Sequence, residues 1–277
     1  MDSGLRETIH MTFQLPGGVS SKGEKALWRR GILTWNDFFS HGGNLLSPSR
    51  VQSLSDAIAS VAHLLELGDL HQLVQHFPMC ALRLCPVLLS EACFFDIETT
   101  GLDPEDPPVT ASVYAKGALY LFVAGRNLDQ LPQLLKVQKF LVSFYGRRFD
   151  VPRLTRHLGL RVTCPHLDLG PIVRRLGFGP GLKRALQQLG MQWPPGLPDA
   201  GGDAPPLWYE YCKGRLHALR TLLTYNAYDT VSLAWLWTAV YNASLKDWPL
   251  FRPIPPPQFP RICETVERFL ALTIGDR

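Results

Sequence analysis

Two carboxylates two residues apart, Asp96 and Glu98, close the apolar run Cys93-Phe-Phe-Asp-Ile. In an extended strand, residues two apart project from the same face, so this run presents paired carboxylates side by side. Like charges on an apolar strand are costly unless something neutralises them. Their hard oxygen donors suit a divalent cation, magnesium or manganese; a solvent-facing strand end is the plainer alternative. Asp150 follows a second apolar run, Phe140-Leu-Val-Ser-Phe, at the start of a predicted helix. Exposed backbone N–H groups favour a negative charge there, and alone this Asp reads equally well as a helix cap. Tyr225 and Asp229 lie four residues apart in a helical stretch, so a phenol and a carboxylate share one face.

The elements that would position these groups follow from periodicity. Residues 1–90 read as a small helical region. Apolar residues recur at three- and four-residue intervals from Leu27 through Phe38, broken at Gly31 and at Gly42-Gly43, and a longer helix is predicted over Ser55–Leu67. From Cys93 the pattern becomes that of strands. A hairpin turning at Lys116-Gly117 is predicted within 113–123, and a further strand over Arg161–Cys164. Helices are predicted at 151–157, 171–176, 181–189 and 216–241. Strands first and helices later indicate an α/β architecture with a mixed sheet flanked by helices, over about 91–245. Residues 195–206 read as a surface loop on their Gly, Pro and Asp content. Residues 246–277 read as a proline-rich connector and a last helix, Ile262–Leu272.

Asp96-Ile-Glu98-Thr-Thr-Gly-Leu resembles the first motif of the DEDD-type 3′–5′ exonucleases, a branch of the ribonuclease H-like superfamily. Phe144-Tyr-Gly-Arg-Arg-Phe-Asp150 resembles the second motif and Tyr225-Asn-Ala-Tyr-Asp229 the third, in the family's order. The N-terminal Phe13-Gln-Leu-Pro-Gly segment, with Glu24-Lys-Ala-Leu-Trp-Arg-Arg-Gly-Ile-Leu-Thr-Trp35, is similar to the helix-hairpin-helix-like region of the bacterial YprB-like family. The resemblance implies a ribonuclease H-like fold, and two metal ions held by Asp96, Glu98, Asp150 and Asp229. It implies that Asp96 bridges both ions, and that Tyr225 orients or helps deprotonate the attacking water. Thr224 stands where the histidine variant would need His, so the likeness is to the tyrosine variant, DEDDy. Thr99, Gly101, Leu102, Arg147, Arg148 and Phe149 are the implied nucleic-acid contacts. Tyr145 departs from the family, which usually carries Asn there to support the site or contact substrate.

The expected reaction is hydrolysis of single-stranded DNA or RNA, from a 3′ end. The rival is a nucleic-acid-binding module that keeps the fold but turns over poorly. A net charge of +4 is compatible with a polyanionic partner without demanding one. No apolar run approaches the ~18 residues needed to span a bilayer, so no membrane role is expected. Met1-Asp-Ser-Gly-Leu-Arg is not followed by an apolar run, so a cytoplasmic protein with six reduced, mostly buried thiols is expected. Gly177-Phe-Gly-Pro-Gly lacks a phosphate loop's preceding strand and GK[ST] ending. His166 and Asp168, close to a predicted strand end, read as a structural polar pair in preference to groups that approach the site. Arg153, Arg156, Arg174, Arg175, Lys183 and Arg184 divide evenly between phosphate contacts and solvated surface. Trp193, Trp208 and Tyr209 divide between base stacking and core packing.

Overall fold

The computed structural model describes residues 3–76, 78–194 and 204–274. They form two compact units, Met1–Leu89 with Val240–Pro255, and Ser90–Ala239 with Pro256–Arg277.

The first unit is helical: α1 (Ser3–His10), α2 (Ser21–Arg29), α3 (Trp35–His41), α4 (Pro48–Leu67), α5 (Leu70–His76), α6 (Pro78–Arg83) and α7 (Cys85–Leu88). The α4 helix starts well before the predicted Ser55. Pro48 occupies its first turn, where a missing N–H costs nothing. At the centre of this unit Arg83 and Glu24, both fully buried, form a bidentate pair with N–O distances of 2.8 and 2.6 Å. Glu24 also accepts from the Phe13 N–H at 2.7 Å, and Arg83 lies 4.6 Å from the Trp248 ring centre.

The second unit is built on a five-stranded sheet of order β3-β2-β1-β4-β5. Its strands are β1 (Cys93–Thr99), β2 (Pro108–Ala115), β3 (Ala118–Val123), β4 (Leu141–Ser143) and β5 (His166–Asp168). β1, β2 and β3 pair antiparallel, while β4 runs parallel to both β1 and β5. The β2–β3 turn is two residues, Lys116 and Gly117, both at positive φ (50° and 78°). That is the turn a tight, right-twisted hairpin requires. The helices are α8 (Leu131–Lys136), α9 (Asp150–Leu158), α10 (Leu169–Arg175), α11 (Leu182–Gln188), α12 (Ala204–Cys212), α13 (Leu216–Ser244) and α14 (Ile262–Ile274). The mixed sheet flanked by helices is the architecture expected.

Side-chain alternation along β1 sets up the site. Cys93, Phe95 and Ile97 point into a core with Leu131, Leu135 and Leu154 from α8 and α9. Phe94 points the other way, with its ring 6.4 Å from that of Trp237 on α13. By the same period of two, Asp96 and Glu98 share the α13 side.

Three local expectations need correction. Residues 161–164 form no strand; pairing begins at Pro165, whose carbonyl accepts from the Leu141 N–H, and the strand is His166–Asp168. Of the predicted loop, 195–203 lie outside the described residues, while 204–206 open α12, with Pro205 and Pro206 in a first turn that tolerates them. Among the described residues the cysteines form no disulfide, and they are not mostly buried. Cys85 and Cys93 are buried, Cys164 is half-buried, Cys212 and Cys263 are exposed, and Cys80 lies outside the described side chains.

Candidate active site

Asp96 and Glu98 from β1 meet Asp229 from α13, each offering a carboxylate oxygen within 4.8 Å of the others. Asp150, only 2% exposed at the start of α9, is the fourth acid. Its Oδ1 accepts from the Ile97 N–H at 3.1 Å, which pins it to the strand between Asp96 and Glu98. All four carboxylates and Tyr225 line one cleft of about 310 Å³.

The turn before Asp150 is held in place by β5. Asp168 accepts N–H groups from Tyr145 (2.6 Å), Arg147 (3.2 Å) and Gly170 (3.1 Å). His166 meets the Ser143 hydroxyl at 2.7 Å. The structural reading of this polar pair therefore stands, with the added role of shaping the turn. Gly146 has no substitute in this turn. A Cβ there would lie 2.3 Å from Ser143 Oγ and 3.2 Å from Asp150 Oδ2.

Four buried acids facing one another perturb each other strongly. Burial, followed by the neighbouring carboxylates, holds Asp96 and Glu98 well above the usual carboxylate range. Burial raises Asp150 to about 7 against the opposing hydrogen bond from Ile97. Asp229 is raised by burial to about 6, with Lys183 and the Tyr225 hydroxyl resisting. The Tyr225 phenol is itself pushed far up, by burial and then by Asp229, Glu98 and Asp96. It stays a proton donor to the carboxylates at any working pH. These directions describe a site short of positive charge.

A divalent cation fits that shortage. The donors are all hard oxygens, and Asp229 Oδ1 is buried without a hydrogen-bond partner.

Two further contributors appear: Asn226, to which the sequence reading assigns no role, and Lys183, which it leaves divided between phosphate contact and solvated surface. Asn226, fully buried, donates from Nδ2 to Asp96 Oδ2 at 2.8 Å, while its backbone carbonyl accepts from Ser112 Oγ at 2.8 Å. Its position three residues before Asp229, on the same helix face, was the available signal. Lys183 Nζ lies 4.1 Å from the Tyr225 ring centre and 4.7 Å from that of Trp193, close enough to ease the charge on Glu98 and Asp229. The glycine segment 177–181 is the turn that leads into α11 and so brings Lys183 there.

Thr99, Gly101, Leu102 and Phe149 line the cleft; Arg147 and Arg148 do not. Arg147 donates to the His166 carbonyl, and Arg148 is exposed. Arg153 and Arg156 are structural. Arg153 lies on the Phe149 ring at 3.7 Å and donates to the carbonyls of Leu102 and Asp103, and Arg156 pairs with Glu105. Together they tie down the loop after β1. Trp193 and Trp208 pack against the buried cluster of Val109, Ala204, Leu222 and Tyr225, whereas Tyr209 is exposed. Among the described residues, no helix is long and apolar enough to cross a membrane.

Residues 93–241, more than half of the chain, match the sequence profile of the RNase_H superfamily. The chain belongs to that superfamily, and its second unit carries the ribonuclease H-like fold. No curated protein matches the chain in sequence. One similar solved structure is the family B DNA polymerase from the hyperthermophilic archaeon Pyrobaculum calidifontis, 20% identical with a TM-score of 0.43. The match covers 56% of this chain and 26% of the polymerase chain.

Proposed function

We propose that the chain is a divalent-metal-dependent nuclease that hydrolyses single-stranded DNA or RNA from a 3′ end, in the manner of the DEDDy exonucleases and close to the YprB-like family. Superfamily membership supports nucleic-acid cleavage. The observation that carries the finer reading is the convergence of Asp96, Glu98 and Asp229, with one Asp229 oxygen left unpartnered.

In this reading Asp96, Glu98, Asp229 and Asp150 hold two ions, magnesium or manganese. When bound, these supply Lewis-acid stabilisation of the attacking and leaving oxygens of the phosphodiester. The protein's own groups do the positioning. Asn226 fixes the Asp96 carboxylate through its amide. Tyr225, protonated beside Glu98 and Asp229 in the metal-free site, orients the attacking water or helps deprotonate it. Lys183 offsets negative charge beside the scissile phosphate. Thr99, Gly101, Leu102 and Phe149 contact the chain end inside the cleft, and Arg148 meets a phosphate outside it.

The deciding experiment incubates the full chain with 5′-labelled single-stranded DNA and RNA in manganese, beside Asp96→Ala and Asp229→Asn. A ladder shortening from the 3′ end, absent in both variants and in chelator, is expected. Binding without cleavage under any divalent metal would overturn the enzyme in favour of a silent binding module.

A further inference from the structure

Tyr145 is a strained residue in the cleft wall. Its φ is +59°, a left-handed conformation that non-glycine residues other than Asn and Asp rarely adopt. Such strain persists only where the surroundings over-determine it, and it concentrates at ligand sites. Here the backbone is fixed from both sides. The Tyr145 N–H donates to Asp168 at 2.6 Å, and its carbonyl accepts from the N–H groups of Arg148 (3.0 Å) and Phe149 (3.1 Å). The side chain is fixed as well. A Cβ at Gly170 would meet Cδ2, Cγ and Cε2 of the ring at 2.7, 2.7 and 2.8 Å. Near-equal distances to three consecutive ring atoms place Gly170 over the ring's face, not its edge. Phe144 meets the same ring edge to face, at 5.1 Å and 84°. The ring is thus backed by bare glycine backbone, yet it remains half-buried and lines the cleft that holds the carboxylates. Two other aromatic residues of that cleft already carry a cation: Phe149 has Arg153 over its ring, and Tyr225 has Lys183.

We propose that Tyr145 is a substrate-selecting residue that stacks on the base of the nucleotide entering the cleft, restricting it to unpaired nucleotides. The proposal rests on the nuclease reading above and deepens it. A rigid ring gains stacking contact without an ordering cost, and every base offers a π-face, so the selection is for an unstacked base and not for a sequence. The strain at residue 145 is maintained by Asp168 and Gly170 so that the ring holds this position.

The test uses the full chain in chelator, where binding is read without turnover. The probe is a single-stranded DNA oligonucleotide with 2-aminopurine as its 3′-terminal base, alongside a matched oligonucleotide abasic at that position. Wild type and Tyr145→Phe are expected to quench the 2-aminopurine emission on binding, and Tyr145→Asn, which suits positive φ but lacks the ring, is not. Affinity for the intact oligonucleotide should fall about tenfold in Tyr145→Asn. Affinity for the abasic one should be the same for all three proteins. Equal quenching by Tyr145→Asn, or an equal loss on the abasic probe, overturns the stacking role. Cleavage in manganese, measured on the same preparations, is scored separately. An active enzyme that binds the probe without quenching keeps the nuclease reading and loses this one.

Discussion

Asn226 shows how much of the site depends on groups with no charge. Its amide holds Asp96 at 2.8 Å, and its own backbone is fixed by Ser112. Partners that orient a metal ligand typically matter by about 10–100-fold when removed. Asn226→Ala should therefore raise the manganese concentration for half-maximal cleavage about 10-fold or more, at temperatures where its melting curve in chelator still shows a fully folded protein. A metal titration of the rate checks this, and an unshifted titration would remove Asn226 from the site. Only Asp96 and Glu98 stood out locally, as two like charges on one face of an apolar strand; Asp150, Tyr225 and Asp229 were legible through the order and spacing of the three motifs they belong to. Lys183 was only one basic residue among several, because nothing near position 183 reports that a glycine turn aims α11 at Tyr225. The same limit hid the role of Arg153, which the sequence leaves divided between phosphate contact and solvated surface but which is 5% exposed and holds two loop carbonyls.

At the scale of elements, the β4-to-α9 turn is the least replaceable piece of the second unit. Gly146→Ala would press a methyl against Ser143 and toward Asp150, and overpacking of this kind costs about 1–3 kcal/mol. The variant should melt several degrees lower and lose cleavage out of proportion to that loss, since the displaced group is Asp150. Circular dichroism melts and rates on one preparation test it; a fully active, equally stable variant would mean the turn has slack. Asp168→Ala leaves three N–H groups of the turn and α10 without their acceptor. The Gly170 N–H is buried and the other two are partly buried; a buried orphan costs about 1–3 kcal/mol, so this variant should be clearly destabilised, and Asp168→Asn should recover part of the loss. The hairpin and the long helices were readable because turn chemistry and periodicity are local signals. The β5 strand was misplaced by a few residues because its position is set by pairing with β4, a long-range choice to which residues 161–164 contribute no distinctive pattern.

For the molecule as a whole, the two units rely on buried charge in different ways. In the first, Glu24 and Arg83 neutralise each other. Removing one partner of such a pair typically costs about 3–5 kcal/mol, so Arg83→Met should destabilise strongly, as a urea titration would show. In the second unit four buried carboxylates face one another, and pH becomes the lever. In the unfolded chain these acids titrate near 4, whereas in the folded, metal-free protein Asp229 titrates at about 6, Asp150 at about 7, and Asp96 and Glu98 well above the ordinary range. As pH rises from about 4 through these folded values, the unfolded chain has already released protons that the folded chain still binds. Stability then falls with rising pH, because the folded state binds more protons than the unfolded one. The metal-free protein should accordingly melt higher at about pH 5.5 than at about pH 8. Manganese should reverse the trend, since cation binding displaces those protons and gains strength as they leave. Melting curves in chelator and in manganese across that range give both slopes, and Asp150→Asn with Asp229→Asn supplies the control in which the falling slope should flatten. A melting temperature in chelator that rises with pH would place the titrating groups elsewhere in the chain and take the electrostatic argument for a cation site with it, whereas a slope unchanged in the double variant would remove Asp150 and Asp229 from that argument.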